Sequence, residues 1–239
     1  MNENNNARMG IRDGLPICFG YFSVAFAFGI IATSSGLSVI EAFLISAFNV
    51  TSAGQLAAVP IIAFGGGYLE LALTQLIINL RYALMSVSLS QKLGESVRLR
   101  DRFLIAFMNT DEVFAVSVAR PEYVGRKYMF MLILTPFLGW TGGTLVGALL
   151  GNVLPEIILR ALGIAIYAMF IAIVVPVARA DKSTAFCAIL SVALSVMFYF
   201  VPILSKIPSG FVIIICAVSV SLLFAFVAPI KDEEDGEDA

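Results

Sequence analysis

The chain is a succession of long apolar stretches separated by short polar loops. Eight stretches can be marked, at about residues 14–33, 39–64, 69–90, 103–119, 129–150, 157–178, 183–202 and 208–229. A transmembrane helix needs about 20 predominantly apolar residues, so most of these stretches are long enough to span a bilayer. The pattern therefore predicts an all-α polytopic membrane protein, in which each helix satisfies its own backbone polar groups.

Two of the eight stretches do not resemble ordinary spanning helices. The second is interrupted by residues that disrupt a lipid-facing helix, namely Asn49, Thr51, Ser52, Gly54, Gln55 and Pro60. The fourth is short and carries Asn109, Thr110, Asp111 and Glu112 at its middle. Non-helical backbone at membrane depth is tolerated only where it is buried in protein or faces water. We expect both stretches to be broken or re-entrant helices that place backbone polar groups near a substrate site.

The distribution of basic residues favours this interpretation. If all eight stretches crossed, with the N-terminus inside, the basic loop at 91–102 would lie outside, against the preference of Lys and Arg for cytoplasmic loops. If the second and fourth stretches return to their own side, that loop lies inside with the basic residues at 119–127 and 178–182. Lys206 is the clear exception, and Arg160 lies near an outer boundary. The sequence thus predicts about six spanning helices plus two broken or re-entrant elements, with both termini on the cytoplasmic side of the cell membrane.

Composition refines this picture without changing it. The chain is 59% hydrophobic and only 13% charged, whereas globular domains carry about 25% charged residues. Six of its 17 acids crowd residues 232–238, which leaves 11 acids against 15 bases in the rest of the chain. We expect an acidic disordered tail at 231–239, a loose polar segment without a cleavable signal at 1–12, and a single transmembrane domain at 13–230.

Metal and disulfide chemistry find no support in the sequence. The chain has three cysteines and no histidine. Cys18, Cys187 and Cys216 all lie within apolar stretches, without a CxxC motif. An odd number of buried cysteines is typical of small apolar side chains and not of a disulfide framework or a zinc site. We therefore expect no metal site and no cofactor.

Three charged residues lie near the middle of an apolar stretch: Arg81, Asp111 and Glu112. Such a group costs about 2.5–3.5 kcal/mol at the centre of a spanning helix, so three could cost roughly 8–10 kcal/mol if they were uncompensated. Adjacent helical residues point about 100° apart, so Asp111 and Glu112 cannot easily reach one guanidinium. We expect Arg81 to pair with one of them, leaving the other free to titrate or to bind an ammonium group. The sequence leaves open which acid pairs.

Plainer interpretations of these residues are also open. Asp111 and Glu112 would lie at the membrane surface if the fourth stretch were a surface helix, and Arg81 could be a purely structural ion-pair partner. Asn49 and Gln55 could hold helices together by hydrogen bonds. Asp13 is expected to be an interfacial charge that could cap the first helix.

Four segments follow one another in the first half of the chain: DGLPICFGYFSVAFAFGIIAT, SAGQLAAV, INLRYALMSVSL and FMNTDEVFAV. Together they resemble the AzlC/YgaZ family of branched-chain amino acid exporters, and the later LGIAIYAMFIAIVVPV is similar to the helix that follows in that family. The resemblance implies efflux of leucine, isoleucine, valine and similar amino acids. It also implies a small membrane partner of the AzlD/YgaH type.

The polar motifs of that family fall on Gly54 and Gln55, on Asn79 and Arg81, and on Thr110, Asp111 and Glu112. One departure is that the family often has a histidine directly after the motif arginine, where this chain has Tyr82. A proton relay would therefore have to use Asp111 or Glu112. The chain has no GxxxxGK[ST] phosphate loop, so we expect no ATP hydrolysis by this chain itself.

The expected function is a secondary transporter that exports branched-chain or similar apolar amino acids, with proton or ion coupling as an option, and not an enzyme. Arg81 would pair with an acid and receive the substrate carboxylate, while the free acid would attract the ammonium or exchange a proton. The expected partners are the small subunit, the amino acids and the lipid bilayer, and no nucleic acid. The candidate substrate-binding or coupling residues are Asn49, Gly54, Gln55, Asn79, Arg81, Thr110, Asp111 and Glu112.

Two other classes of function remain as alternatives. One is a passive pore or a non-transporting membrane subunit. The other, which we favour less, is an intramembrane hydrolase, because an aspartyl mechanism needs two acids that share a proton across a site. Adjacent Asp111 and Glu112 would diverge on a helix, and Asp13 is close to the terminus of the chain.

Overall fold

The computed structural model describes residues 6–150, 157, 171, 174–176, 178–179 and 181–227 of the chain. Within these residues the chain forms nine α-helices, one 3₁₀ turn and no strand. The helices are α1 (Ala7–Ser34), α2 (Val39–Phe48), α3 (Ser52–Ala63), α4 (Tyr68–Lys92), α5 (Leu99–Phe107), α6 (Asp111–Val118), α7 (Arg126–Leu150), α8 (Lys182–Phe200) and α9 (Ser209–Val227). The 3₁₀ turn (Leu204–Lys206) lies between α8 and α9.

Five of the described helices, α1, α4, α7, α8 and α9, are long and apolar enough to cross a membrane. The sixth predicted span, at 157–178, lies almost entirely outside the described residues. The prediction of an all-α polytopic membrane protein is confirmed. The chain divides into two compact units, formed by the described parts of Met1–Gly66 with Ile78–Ile166, and of Gly67–Ile77 with Tyr167–Ala239.

The first helix begins earlier than the sequence predicts. Asn6 caps it by accepting a hydrogen bond from the Met9 backbone N–H at 2.9 Å, so residues 7–12 are helical and not loose. Asp13 consequently lies inside α1 and does not cap it, contrary to one expectation. Its carboxylate instead accepts hydrogen bonds from Arg120 and from the Tyr128 hydroxyl.

Both atypical stretches are broken at their polar residues, as predicted. The second is interrupted between α2 and α3, where Thr51 has extended backbone angles of φ −148° and ψ 121°. The fourth is interrupted between α5 and α6, where Thr110 is extended at φ −86° and ψ 169°. β-Branched residues and side chains that bond to nearby backbone disfavour helix interiors, so the sequence stops each helix at these places.

The first unit is organised around close packing of α1 against α7. Glycines of α7 lie directly against the backbone of α1: Gly139 against Cys18, Gly143 against Phe22 and Gly147 against Phe26. The numbers rise together along both helices, so α1 and α7 run parallel to each other. At Gly143 and Gly147 a side chain would overlap the carbonyl oxygens of Phe22 and Phe26, respectively. The seam therefore depends on glycine, as small residues do wherever membrane helices approach closely.

Residues 78–92 of α4 run in the opposite direction to α1. The end of α4 lies beside the start of α7, because the Val124 N–H donates to the Lys92 carbonyl at 2.9 Å. Arg81 lies eleven residues earlier on α4 and pairs with Asp111 of α6. The next residue of α6, Glu112, binds Tyr21 in the middle of α1. Since α4 runs back towards the start of α1, the two helices between them, α2 and α3, return to the side they leave.

The helices α5 and α6 form a re-entrant hairpin at the end where α7 starts. Near its beginning, Asp101 pairs with Arg126 at 2.8 Å. Just after its end, Arg120 pairs with Asp13 at 2.9 Å, and Asp13 also binds Tyr128 at 2.8 Å. The beginning and the end of the hairpin therefore both lie at the same end of the α1–α7 pair, as the charge distribution predicts.

The helices α2 and α3 form the matching hairpin at the opposite end of α1 and α7. A buried apolar cluster joins both of its arms to these helix ends, through Phe28, Ala32, Leu37, Ala42, Val59 and Ala148. At the start of this hairpin a capping box fixes α2, since Ser38 and Glu41 exchange side-chain-to-backbone hydrogen bonds. The first unit thus contains two broken hairpins that enter from opposite ends.

In the second unit α8 packs against α9. Asp181 caps α8 through the Ser183 and Thr184 backbone N–H groups. Glu70, near the start of α4, is buried and accepts a hydrogen bond from the Gly210 backbone N–H at 2.9 Å. A side chain at residue 210 would collide with Thr74 and Glu70, so glycine allows this contact.

Candidate functional site

The middle of α1 marks the depth at which polar groups collect. Tyr21 is eight residues beyond Asp13 and eleven before Ala32, which places it about 12 Å and about 16 Å from those positions along the helix. Asp13 belongs to the contacts at one end and Ala32 to the apolar cluster at the other. Since a bilayer core is about 30 Å thick, Tyr21 lies near the midplane of the spanning helix.

Arg81 pairs with Asp111 at this depth. Its Nη2 lies 2.8 Å from Asp111 Oδ2, and it also donates to the hydroxyl of Tyr82 at 3.2 Å. The guanidinium lies over the Tyr82 ring, 5.0 Å from its centroid. The structure therefore answers the question that the sequence left open, because it pairs the arginine with Asp111.

Glu112 has a different partner. The Tyr21 hydroxyl donates a hydrogen bond to Glu112 Oε2, and among the described residues Glu112 forms no ion pair. Its side chain is exposed. Asp111 and Glu112 thus divide between a cation and a neutral donor, as expected for adjacent residues on a helix. Glu112 is the carboxylate that stays available for a cationic group or a proton.

Gln55 lies fully buried in the other hairpin. Its Oε1 accepts a hydrogen bond from Ser46 Oγ at 2.8 Å, and Ser46 Oγ lies 2.6 Å from Thr144 Oγ1. These contacts join both arms of the α2–α3 hairpin to α7. Gly143 packs against Phe22 and the Thr144 carbonyl lies against Gly29, so Thr144 lies beyond Tyr21 along α1, between the levels of Phe22 and Gly29.

The remaining predicted residues lie at or near the two breaks. Asn49 is the C-cap residue of α2, and its backbone N–H donates to the Ile45 carbonyl at 2.8 Å. Gly54 is buried in the first turn of α3, and buried Thr110 is the N-cap residue of α6. Asn79 is half-buried on α4, two residues before Arg81. Each of the two hairpins packs against α1 and α7.

Sequence reasoning missed Tyr21, Ser46 and Thr144. Each lies in a run with the pattern of an ordinary apolar helix, and each forms a hydrogen bond with a residue that is distant in the sequence. Tyr21 also packs edge-on against Trp140, with 5.3 Å between ring centroids. A tyrosine hydroxyl in the middle of a spanning helix needs a hydrogen-bond partner, and that was the one available signal.

Comparison with known proteins agrees with this architecture. Residues 16–154 match the family described as AzlC protein, a range that includes both hairpins and α7. The chain is 30% identical over 232 residues to the inner membrane protein YgaZ of Escherichia coli strain K12, covering 94% of this chain and 93% of the relative. It is 34% identical over 171 residues to an uncharacterized membrane protein of Archaeoglobus fulgidus, covering 71% of this chain and 74% of the relative.

No solved structure matches the chain. The family match and the full-length similarity to a membrane protein support a role related to membrane transport. These comparisons also confirm the resemblance seen in the sequence segments. The chain belongs to the AzlC family of membrane proteins.

Proposed function

We propose that the protein is a secondary transporter that exports branched-chain or similar apolar amino acids across the cytoplasmic membrane. The observation that carries the proposal is the separation of two adjacent acids: Asp111 pairs with Arg81, whereas Glu112 accepts a hydrogen bond from Tyr21 and forms no ion pair within the described part of the chain. A carboxylate without a cationic partner at membrane depth is costly. We therefore assign Glu112 a function in transport, which is to bind an ammonium group or a proton.

The two broken hairpins supply the remaining features of a transporter. Discontinuous helices that meet near the bilayer midplane are typical substrate sites in secondary transporters. Here α3 and α6 both begin at the tip of a hairpin. Movement of one hairpin at a time would open the site to one side of the membrane and then to the other.

The roles of the site residues follow from their partners. Glu112 attracts the substrate ammonium or exchanges a proton, and Arg81 fixes Asp111. Gln55, Asn49 and Asn79 supply neutral hydrogen bonds, while Gly54 and Thr110 belong to the helix starts. The ring of Tyr21, which packs on the buried Trp140, offers an apolar surface for an aliphatic side chain. A small membrane subunit of the AzlD/YgaH type completes the transporter.

The experiment is leucine efflux from vesicles that contain the purified chain, with and without such a subunit. The vesicles are loaded with labelled leucine, and unlabelled leucine or glutamate is added outside. A transporter accelerates efflux when leucine is present on the opposite side, and glutamate has no such effect. Efflux that external leucine does not accelerate would indicate a passive pore, and no efflux in either condition would contradict the proposed substrate.

A further inference from the structure

The starts of α3 and α6 differ in a way that suggests separate tasks. Each helix begins at the tip of a re-entrant hairpin, and neither N-cap residue, Thr51 or Thr110, caps its helix with its side chain. A helix N-terminus carries a partial positive charge of about half a unit. In α6 the acids Asp111 and Glu112 lie in the first turn and offset that charge, but the first turn of α3 contains no acid.

Two buried polar groups at the start of α3 lack partners among the described residues. They are Thr51 Oγ1 and Gln55 Nε2. Thr51 is 5% exposed and Gln55 is fully buried. A buried hydrogen-bonding group that stays unsatisfied destabilises the protein, so both groups are expected to bind something in the working protein. A donor amide beside an uncompensated helix N-terminus favours an anion.

Arg81 is already engaged. Its guanidinium contacts Asp111 at 2.8 Å and the Tyr82 hydroxyl at 3.2 Å. If the substrate carboxylate bound Arg81 in place of Asp111, then Asp111 would lose its cationic partner. The start of α3 offers the anion a partner in the same unit of the protein, because Thr51 Oγ1 and Gln55 Nε2 have no hydrogen-bond partner among the described residues.

We infer that the start of α3 binds the carboxylate of the transported amino acid, through the Thr51 hydroxyl and the Gln55 side-chain amide. This inference rests on the proposed function. It assigns the groups that bind the substrate carboxylate, whereas Glu112 binds the ammonium group. It places substrate anion and substrate cation on different hairpins. Binding of one zwitterion would then couple the two re-entrant elements.

The test compares leucine with 3-methylbutylamine, which has the same side chain and ammonium group but no carboxylate. Binding of each to the purified protein is measured at pH 8 for wild type, Gln55→Glu, Thr51→Val and Arg81→Gln. Gln91→Glu is a matched control, because Gln91 is exposed at the end of α4. Thr135→Val is the second control, because the Thr135 hydroxyl donates to the Met131 carbonyl within α7.

Gln55→Glu is expected to weaken leucine binding by at least about tenfold and to leave amine binding unchanged or stronger, because it places an anion where the carboxylate binds. Thr51→Val should weaken leucine binding alone, by a smaller factor, and it preserves the test if Gln55→Glu does not fold. Equal effects on both ligands, or loss of carboxylate selectivity only in Arg81→Gln, would overturn the inference while leaving the transporter intact. If wild type binds no leucine, the proposed function itself fails, and this inference fails with it.

Discussion

The Tyr21 hydroxyl donates a hydrogen bond to Glu112, although the two residues are 91 positions apart in the sequence. The contact links the middle of the first spanning helix to the tip of a re-entrant hairpin. It separates Glu112 from its neighbour Asp111, which belongs to Arg81. This division of two adjacent acids is the basis of the proposed transport site.

Tyr21→Phe removes that hydrogen bond and keeps the ring that packs on Trp140. Hydrogen bonds to charged groups contribute about 1.5–3 kcal/mol, so leucine exchange is expected to fall by roughly 10–100-fold. Radiolabelled leucine exchange in vesicles measures this. Tyr199→Phe is the control, since Tyr199 is exposed on α8. Unchanged exchange in Tyr21→Phe would show that Glu112 does not need its donor.

The Arg81–Asp111 pair should appear as a coupling between two substitutions. Arg81→Gln or Asp111→Asn alone leaves one charge without its partner, whereas the double variant leaves none. Both side chains are about half exposed, so the expected coupling is about 1 kcal/mol, nearer to a surface pair than to a buried one. Melting temperatures of the four proteins form the double-mutant cycle. Simple additivity of the two substitutions would contradict the pairing.

Adjacent glycines on α7 should respond in opposite ways to alanine. Gly143→Ala places a methyl group against the Phe22 carbonyl, whereas nothing lies within 4 Å of a Cβ at Gly142. Overpacking costs about 1–3 kcal/mol, while alanine in place of a helical glycine contributes up to about 1 kcal/mol. Fluorescence of the single tryptophan, Trp140, follows the melting of both variants. Equal stability of the two variants would contradict the close α1–α7 seam.

The re-entrant arrangement predicts the sides on which three loops lie. In a background with Cys18, Cys187 and Cys216 replaced by alanine, a membrane-impermeant maleimide should label Glu95→Cys only from the cytoplasmic side. It should label Ser35→Cys and Gly66→Cys only from the outside. Right-side-out and inverted vesicles distinguish the two. If the second and fourth stretches crossed completely, Gly66→Cys and Glu95→Cys would exchange sides.

Asp101 should stabilise the protein in a pH-dependent manner. Burial opposes its ionisation, but the hydrogen bond from the Arg98 backbone and the charge of Arg126 outweigh burial and lower the pKa of its carboxyl group. A lowered pKa gives stability that is fully present above the unfolded value of about 3.9 and is lost as the pH falls through the folded value. Asp101→Asn should therefore melt below wild type at pH 7, and the difference should shrink below about pH 4. A difference that is the same at both pH values would exclude this origin.

Much of this architecture could be predicted from local sequence. Asn49 and Thr51, or Thr110 with its two following acids, interrupt apolar runs, and such interruptions stop helices wherever they occur. The basic loop at 91–102 indicated which ends are re-entrant because the charge preference acts on each loop separately. The pairing of Arg81 with Asp111 and not Glu112 was beyond this reasoning, because it depends on how α6 is rotated about its axis.

The partners from other helices could not be predicted for a related reason. Ser46 and Thr144 are small hydroxyl residues in apolar runs, and such residues also occur where helices merely pack closely. Only the fold brings them together with Gln55. The early start of α1 was missed because its apolar run begins after residue 13, whereas the cap that starts it is Asn6.

The most direct test of the transport site is leucine counterflow by Glu112→Gln, an isosteric change that removes only the charge. Wild type and Glu122→Gln, a change of an exposed acid in the loop before α7, should accumulate labelled leucine against unlabelled leucine inside the vesicles. Glu112→Gln should fold and lose this accumulation. Counterflow in Glu112→Gln at the wild-type rate would contradict the account, since the acid without a cationic partner would then have no part in transport.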